Sequence, residues 1–196
     1  VDRRQRQMCI RDSNPKGSTT VEIIERSELG EAERKTFFDI PPEGIRETFD
    51  LNFLGTFLPT QIFTRGMVER GCGSVVNISS MNAFTPLTKI PAYSAAKAAV
   101  ANFTRWLAVH FARVGVRVNA LAPGFFLTEQ LRFLHYDRET GQPTERARKV
   151  IAHTPMGRYG EPEDLIGAVI WLLSESSSFV TGTVIPIDGG FSSYSI

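Results

Sequence analysis

A chain of 196 residues, 42% hydrophobic and 22% charged, carries enough apolar material for one α/β domain with a substantial core and is short for two. Its formal charge of +1 gives no overall attraction to nucleic acid or an anionic membrane, and the longest apolar run, "LIGAVIWLL", is too short to span a bilayer. The two cysteines, Cys9 and Cys72, offer neither a disulfide framework nor a zinc-ligand spacing, so no metal site is expected and a cytoplasmic, reducing setting is.

The opening segment, residues 1–13 ("VDRRQRQMCIRDS"), has neither helical nor alternating apolar periodicity. It lacks the apolar centre of a secretory signal, and its aspartates argue against a transit peptide. The change of texture at Asn14 reads as a foreign or disordered leader giving way to the domain proper, residues 14–196. Residues 14–40 are polar and loop-like, with a short helix expected around "ELGEAERKTFF".

A long helix is expected from Pro41 and Pro42, which suit an entry, to Gly71, which suits an exit, with Glu43 well placed in the first turn. Ile45, Phe49, Phe53, Phe57 and Ile62 keep roughly helical spacing along it, and Pro59, which cannot donate to the carbonyl of Gly55, predicts a kink. The β-branched run "GSVVNIS" reads as a buried strand ending near Ser79. A loop then leads into a helix bearing Ala96, Ala99, Val100, Phe103, Leu107 and Phe111, closed by Gly115. "VRVNALAPG" is a second strand with a proline-glycine exit, followed by a variable, charged stretch to Arg158. "EPEDLIGAVIWLLSE" reads as an amphipathic-to-buried helix and "GTVIPIDGG" as a final strand. Strands alternating with helices in this way predict a parallel sheet covered by helices.

On the second long helix, Tyr93 and Lys97 lie four residues apart and share one face. A cation beside a phenol favours the ionised form, which suits a proton donor working near neutral pH; two surface residues with no joint role is the plainer alternative. Three features align in order and spacing: "NISS" after a strand, Y-x-x-x-K in the next helix, and "PGFFLT" after the next strand. With "LNFLGTF" before them and "IDGG" after, residues 40–196 resemble the second half of a short-chain dehydrogenase/reductase.

The resemblance implies an α/β, Rossmann-like doubly wound parallel sheet and an NAD(P)-dependent oxidoreductase interconverting a ketone and a secondary alcohol. It implies that Ser80 polarises the substrate carbonyl, Tyr93 transfers the proton, Lys97 supports Tyr93, and Asn52 holds a water in the relay. Tyr93, Lys97, Pro123, Gly124, Phe126 and Thr128 would meet the nicotinamide end of NAD or NADP. The family's glycine-rich phosphate turn is not found in the chain, so residues 14–196 read as a partial, N-terminally truncated catalytic domain. An inactive interaction module is the alternative outside catalysis.

The strongest local resemblance is to sugar-acid enzymes of the fructuronate reductase (D-mannonate oxidoreductase) type, through "SSMNAFTPLTKIPAYSAAKAAVANFTRWLAVHFA" and "APGFFLTEQ". A hydroxylated carboxylate wants amide and cationic donors, and Asn82, Lys89, Gln130 and Arg132 are the candidates, Lys89 and Arg132 being equally readable as solvated charges. A gluconate-type or an oxoacyl reductase are alternative enzymes. His153 either approaches the pocket or caps a turn, and Asp188, Gly189 and Gly190 either touch substrate or form a turn. Ser79 reads as structural, and Trp106 and Trp171 as core or subunit-contact residues. Partners are a small-molecule substrate and, by resemblance, further copies of the chain in a dimer or tetramer, with no nucleic acid or membrane. Phe57, Ile62, Phe103, Trp106 and Phe111 supply the apolar surface for that pairing.

Overall fold

Three strands, β1 (Gly73–Ile78), β2 (Val116–Pro123) and β3 (Val184–Ile187), pair in parallel in that order. Gly73 to Ile78 run beside Val116 to Leu121, and Ala120 to Pro123 beside Val184 to Ile187. A computed structural model describes residues 36–128, 132–137 and 140–195. The leader, most of residues 14–40 and Gln130 lie outside them; of the helix expected around "ELGEAERKTFF", a single 3-10 turn, Phe37–Asp39, is described.

Alternation along the strands sends side chains to two faces, and each face has its own helix. On one, Val75, Val116 and Val118 meet α2 (Gly55–Arg70) and α3 (Pro91–Phe111) through Met67, Val68, Phe103, Leu107, Ala108 and Phe111. Val100, Val116, Val118, Ala120 and Leu121 are buried completely or nearly so, each larger side chain contributing about 1.5–3 kcal/mol on transfer from water. On the other face, Ser74 Oγ and the Arg117 guanidinium donate to the carbonyl of Leu172 at 2.8 and 3.0 Å, tying down the end of α6 (Glu163–Leu173). Arg117 also reaches Ser174 O and Ser177 Oγ, so one fixed cation satisfies the carbonyls that the helix end leaves over. The sheet is therefore doubly wound. The two crossovers leave it on opposite faces and are of opposite hand, a departure from the usual right-handed rule.

The helix between Glu161 and Glu175, read as amphipathic-to-buried, is amphipathic and more exposed than that reading expects. Leu172 is buried, but Ile166, Ile170, Trp171 and Leu173 are exposed, because α6 lies against β1 and β2 mainly through its last turn. Trp106 is likewise exposed and stacks on His110 at 4.8 Å between ring centroids, so neither tryptophan is core.

The long helix before β1 is three pieces: α1 (Pro42–Phe49), a π turn (Asp50–Leu54) and α2. A π turn interrupts it at Asp50–Leu54, while α2 runs on through Pro59. Side chains account for the π turn. Those of Thr48, Asn52, Thr56, Thr60 and Thr64 each donate to the carbonyl four residues earlier, a competition with the backbone ladder that loosens and bends helices. Gly55 N–H then reaches back five residues to Asp50 O, the widened spacing of a π turn.

The α2–β1 and α3–β2 corners are both turned by left-handed glycines, Gly71 at φ +69° and Gly115 at φ +73°. They differ in surroundings. A Cβ on Gly71 meets nothing, whereas one on Gly115 collides with the Gly71 carbonyl. Gly71→Ala is expected to cost the roughly 1–2 kcal/mol of a left-handed alanine, and Gly115→Ala clearly more, about 3 kcal/mol or above. Equal losses in urea unfolding of the two variants would show that the corners are not packed together as described.

Candidate active site

Parallel sheets present their ligand sites beyond the carboxyl ends of the strands, so the chemistry is expected past Ile78 and Pro123. At the end of β1, Ser79 N–H donates to Leu121 O at 2.8 Å and extends the β1–β2 ladder by one rung. Its hydroxyl then turns to α3 and donates to the carbonyl of Lys97 at 2.9 Å. Lys97 returns the contact, its Nζ donating to Ile78 O at 3.1 Å. Seven residues further along α3, Thr104 Oγ1 accepts from the buried amide of Asn77 at 3.0 Å. Ala92, Ala96 and Ala101 bring the helix close, and Pro91 at its first turn fixes the entry. The face that carries Tyr93 and Lys97 is thus pinned to the strand end that carries Ser80.

Tyr93 and Lys97 are half-buried on that face, with Lys97 Nζ 5.8 Å from the centre of the Tyr93 ring. Ser80 is buried at the head of a 3-10 turn, Met81–Ala83, and its Oγ accepts from Asn82 N–H at 3.2 Å. One oxygen lone pair being engaged, the hydroxyl proton is left to point elsewhere. Asn52 sits in the π turn, buried, with Nδ2 donating to Thr48 O at 2.9 Å and its own carbonyl accepting from Thr56 Oγ1. That turn packs against α3, with Phe53 edge-on to Phe103 at 6.0 Å. The geometry brings Ser80, Tyr93 and Lys97 to one helix–strand junction, and the turn that carries Asn52 packs on the same helix.

The segment after β2 is held as tightly. Gly124 N–H donates to Ile187 O at 2.9 Å, and a Cβ on Gly124 would lie 2.6 Å from that of Asp188, so this glycine is required by packing. Phe126 pairs with Gly160, which accepts from Leu127 N–H and donates to Phe125 O, each at 2.9 Å. Pro123, Gly124, Phe126 and Thr128 are half-buried there.

The remaining candidates are more scattered. Asn82 is buried beside Ser80, whereas Lys89 is exposed on the loop before α3. Arg132 is exposed and stacks on Tyr136, 5.9 Å from the ring centre. His153 caps the helix α5 (Glu145–Ala152), with ring Nδ1 2.9 Å from Lys149 O; the turn reading holds. Asp188 spends both carboxylate oxygens on the N–H groups of Gly190 and Ser192, so it too builds a turn. No cluster of three or more metal-ligating side chains occurs among the described residues. No helix among them is long and apolar enough to cross a membrane.

Sequence reasoning missed a second polar centre. The described residues between Gly124 and Pro162, termed the lid below, gather around Phe125, Leu127, Ala147, Val150, Ile151 and Tyr159. Within this lid Tyr159 Oη lies 2.9 Å from His135 Nδ1, both residues being buried. Burial, reinforced by the nearby Arg146 charge, lowers the His135 pKa from its ordinary value. Burial also raises that of Tyr159. Where the lid meets α6, Arg158 grips Asp164 with two bonds of 2.7 and 3.0 Å; these, with the N–H of Glu161, bring the Asp164 pKa down to about 2. The His135–Tyr159 contact joins residues 24 apart and leaves no periodic trace in the sequence.

Comparison with known proteins places this geometry in context. The family model described as enoyl-(acyl carrier protein) reductase matches residues 27–192. An uncharacterized oxidoreductase of Haemophilus influenzae is 54% identical over 184 residues, 93% of this chain and 64% of that protein. The 5-keto-D-gluconate 5-reductase of Escherichia coli K12 is 37% identical over 157 residues, 80% of this chain and 59% of that protein. Among solved structures, a candidate D-mannonate oxidoreductase from Haemophilus influenzae with bound NAD superposes with a TM-score of 0.84 at 53% identity, over 93% of this chain and 65% of that one. A gluconate 5-dehydrogenase from Burkholderia cenocepacia in complex with NADP and tartrate gives 0.72 at 34% identity, over 79% and 58%. The chain therefore spans less than two thirds of the length of these relatives.

The lid carries its own pH dependence. A histidine held neutral in the folded state contributes stability that is complete above its ordinary pKa of 6.5 and is lost as pH falls below that value. Amide exchange in residues 132–160, corrected for intrinsic rate, is expected to quicken between pH 7.5 and 5.5 while that of β2 does not. His135→Gln, which never charges, should abolish the difference. A pH response that persists in this variant would place its origin elsewhere.

Proposed function

The chain belongs to the short-chain dehydrogenase/reductase family, and from that premise we propose that the protein, over the full length of its relatives, is an NAD(P)-dependent oxidoreductase interconverting a ketone and a secondary alcohol. The observation that carries this reading is the pinning of the Tyr93–Lys97 face to the strand end bearing Ser80. The residues present fit a nicotinamide nucleotide: the Lys97 ammonium beside Tyr93 is a cation suited to ribose hydroxyls, and Pro123, Gly124, Phe126 and Thr128 form the segment after β2 that would meet the nicotinamide.

When bound, the nicotinamide supplies or accepts the hydride. Reduction leaves negative charge on the substrate oxygen, which needs donors already in place and a proton on time. Ser80 Oγ–H donates to that oxygen, and Tyr93 Oη–H delivers the proton. The Lys97 charge favours the tyrosinate left behind, and in oxidation that tyrosinate is the base. Asn52 orders the water through which the proton is replaced, its π turn widening the backbone beside α3.

The substrate is a sugar acid of the fructuronate/mannonate type, supported by the similarity to the Haemophilus influenzae structure. A keto-gluconate is the second reading, favoured by the Escherichia coli and Burkholderia cenocepacia relatives. Asn82, Lys89, Gln130 and Arg132 are its proposed contacts. The apolar groove of about 580 Å³ between α2 and α3, lined by Phe57, Phe103, Trp106 and Phe111, is covered by a second copy of the chain.

Tyr93→Phe keeps the ring and removes the transferable proton. Turnover of fructuronate with NADH or NADPH should fall by roughly two orders of magnitude or more, with KM changing far less. Near-normal turnover would overturn the mechanism. Absence of cofactor binding by the full-length wild type, read by nucleotide fluorescence, would favour an interaction module instead.

A further inference from the structure

Asn82 is 4% exposed, and among buried side-chain polar atoms of the described residues its Oδ1 is the one left without a hydrogen-bond partner. Buried polar atoms are nearly always paired, and an unpaired amide oxygen this deep destabilises the fold unless a donor reaches it. Its position narrows what that donor is. The backbone N–H of the same residue bonds Ser80 Oγ, so the orphan oxygen belongs to the residue that orients the hydroxyl proposed to hold the reacting carbonyl. Ser80 and Asn82 share one 3-10 turn at the carboxyl end of β1, packed against α3 and β2.

We propose that Asn82 Oδ1 accepts a hydrogen bond from a substrate hydroxyl on a carbon flanking the ketone, making Asn82 a specificity-determining residue for hydroxyketones. This rests on the oxidoreductase reading above and sharpens it. An amide oxygen is an acceptor only, so it rewards a hydroxyl, which donates, and gives nothing to a methylene. Sites built around such a polar atom discriminate strongly, because the analogue that lacks the hydroxyl leaves the buried group unpaired. The backbone N–H of Asn82 serves Ser80 whatever its side chain, so the two roles of this residue are separable by substitution.

The test uses full-length protein with fructuronate and with its two analogues deoxygenated on one or the other carbon beside the ketone. Wild type is expected to lose about 100-fold or more in kcat/KM on one analogue. Asn82→Leu, of similar size without an acceptor, should lose a similar factor on fructuronate and little on that analogue. Asn82→Asp keeps the acceptor and loses the amide donor; on fructose, a neutral hydroxyketone, it should stay within about fivefold of wild type while Asn82→Leu does not. Thermal melting of each variant separates misfolding from lost recognition. Equal losses on all ketones in Asn82→Leu, or no loss on any, would overturn the assignment while leaving the oxidoreductase reading intact. Failure of the wild type to reduce any of these ketones would overturn that reading and the assignment with it.

Discussion

The hydroxyl of Ser79 on the carbonyl of Lys97 is the contact on which the arrangement turns. A strand end and a helix are separate bodies, and the three side chains of interest are divided between them. Ser80 belongs to the strand end; Tyr93 and Lys97 belong to the helix. The bond is partly buried and joins residues 18 apart, worth about 0.5–1.5 kcal/mol in stability, which is modest. Its larger effect is positional. Together with Lys97 Nζ on Ile78 O and Asn77 on Thr104, it fixes the rotation of α3 about its own axis as well as its distance from β1. Small residues on the inner face of the helix permit the approach, and polar bonds choose one register within it.

The same economy governs the other half of the site. The segment leaving β2 is not free to wander, because Gly124 sits against Asp188 and Gly160 against Phe126, each too close for a side chain. The lid above it has its own small core and its own buried polar pair, His135 and Tyr159. The exposed apolar surface of α2, α3 and α6 belongs to neither, and association with a second copy is the proposal that accounts for the groove between α2 and α3.

Much of the fold was legible in the sequence because its signals are local. Strands β1 to β3 announced themselves as short runs rich in valine and isoleucine, β2 with a proline-glycine exit, and α3 as an alanine-rich stripe between Pro91 and Gly115. Tyr93 and Lys97 share a face because helical geometry requires it. What stayed hidden was relational. Pro59 signals itself in the sequence, but the π turn at residues 50–54 does not, because it goes with threonine and asparagine side chains that compete for backbone carbonyls once the helix is formed. The exposure of α6 depends on how much of it the sheet covers, which its own periodicity cannot report. The orphan oxygen of Asn82 and the His135–Tyr159 pair exist only once distant segments meet.

Ser79→Ala tests the positional claim most directly, since Ser79 touches no proposed reactant and removes a single bond between strand end and helix. In full-length protein, misplacement of the helix face should lower kcat for the ketone about ten- to hundredfold while melting and cofactor affinity change little. A variant with unchanged kcat would show that the site holds its geometry without that bond and would contradict the account.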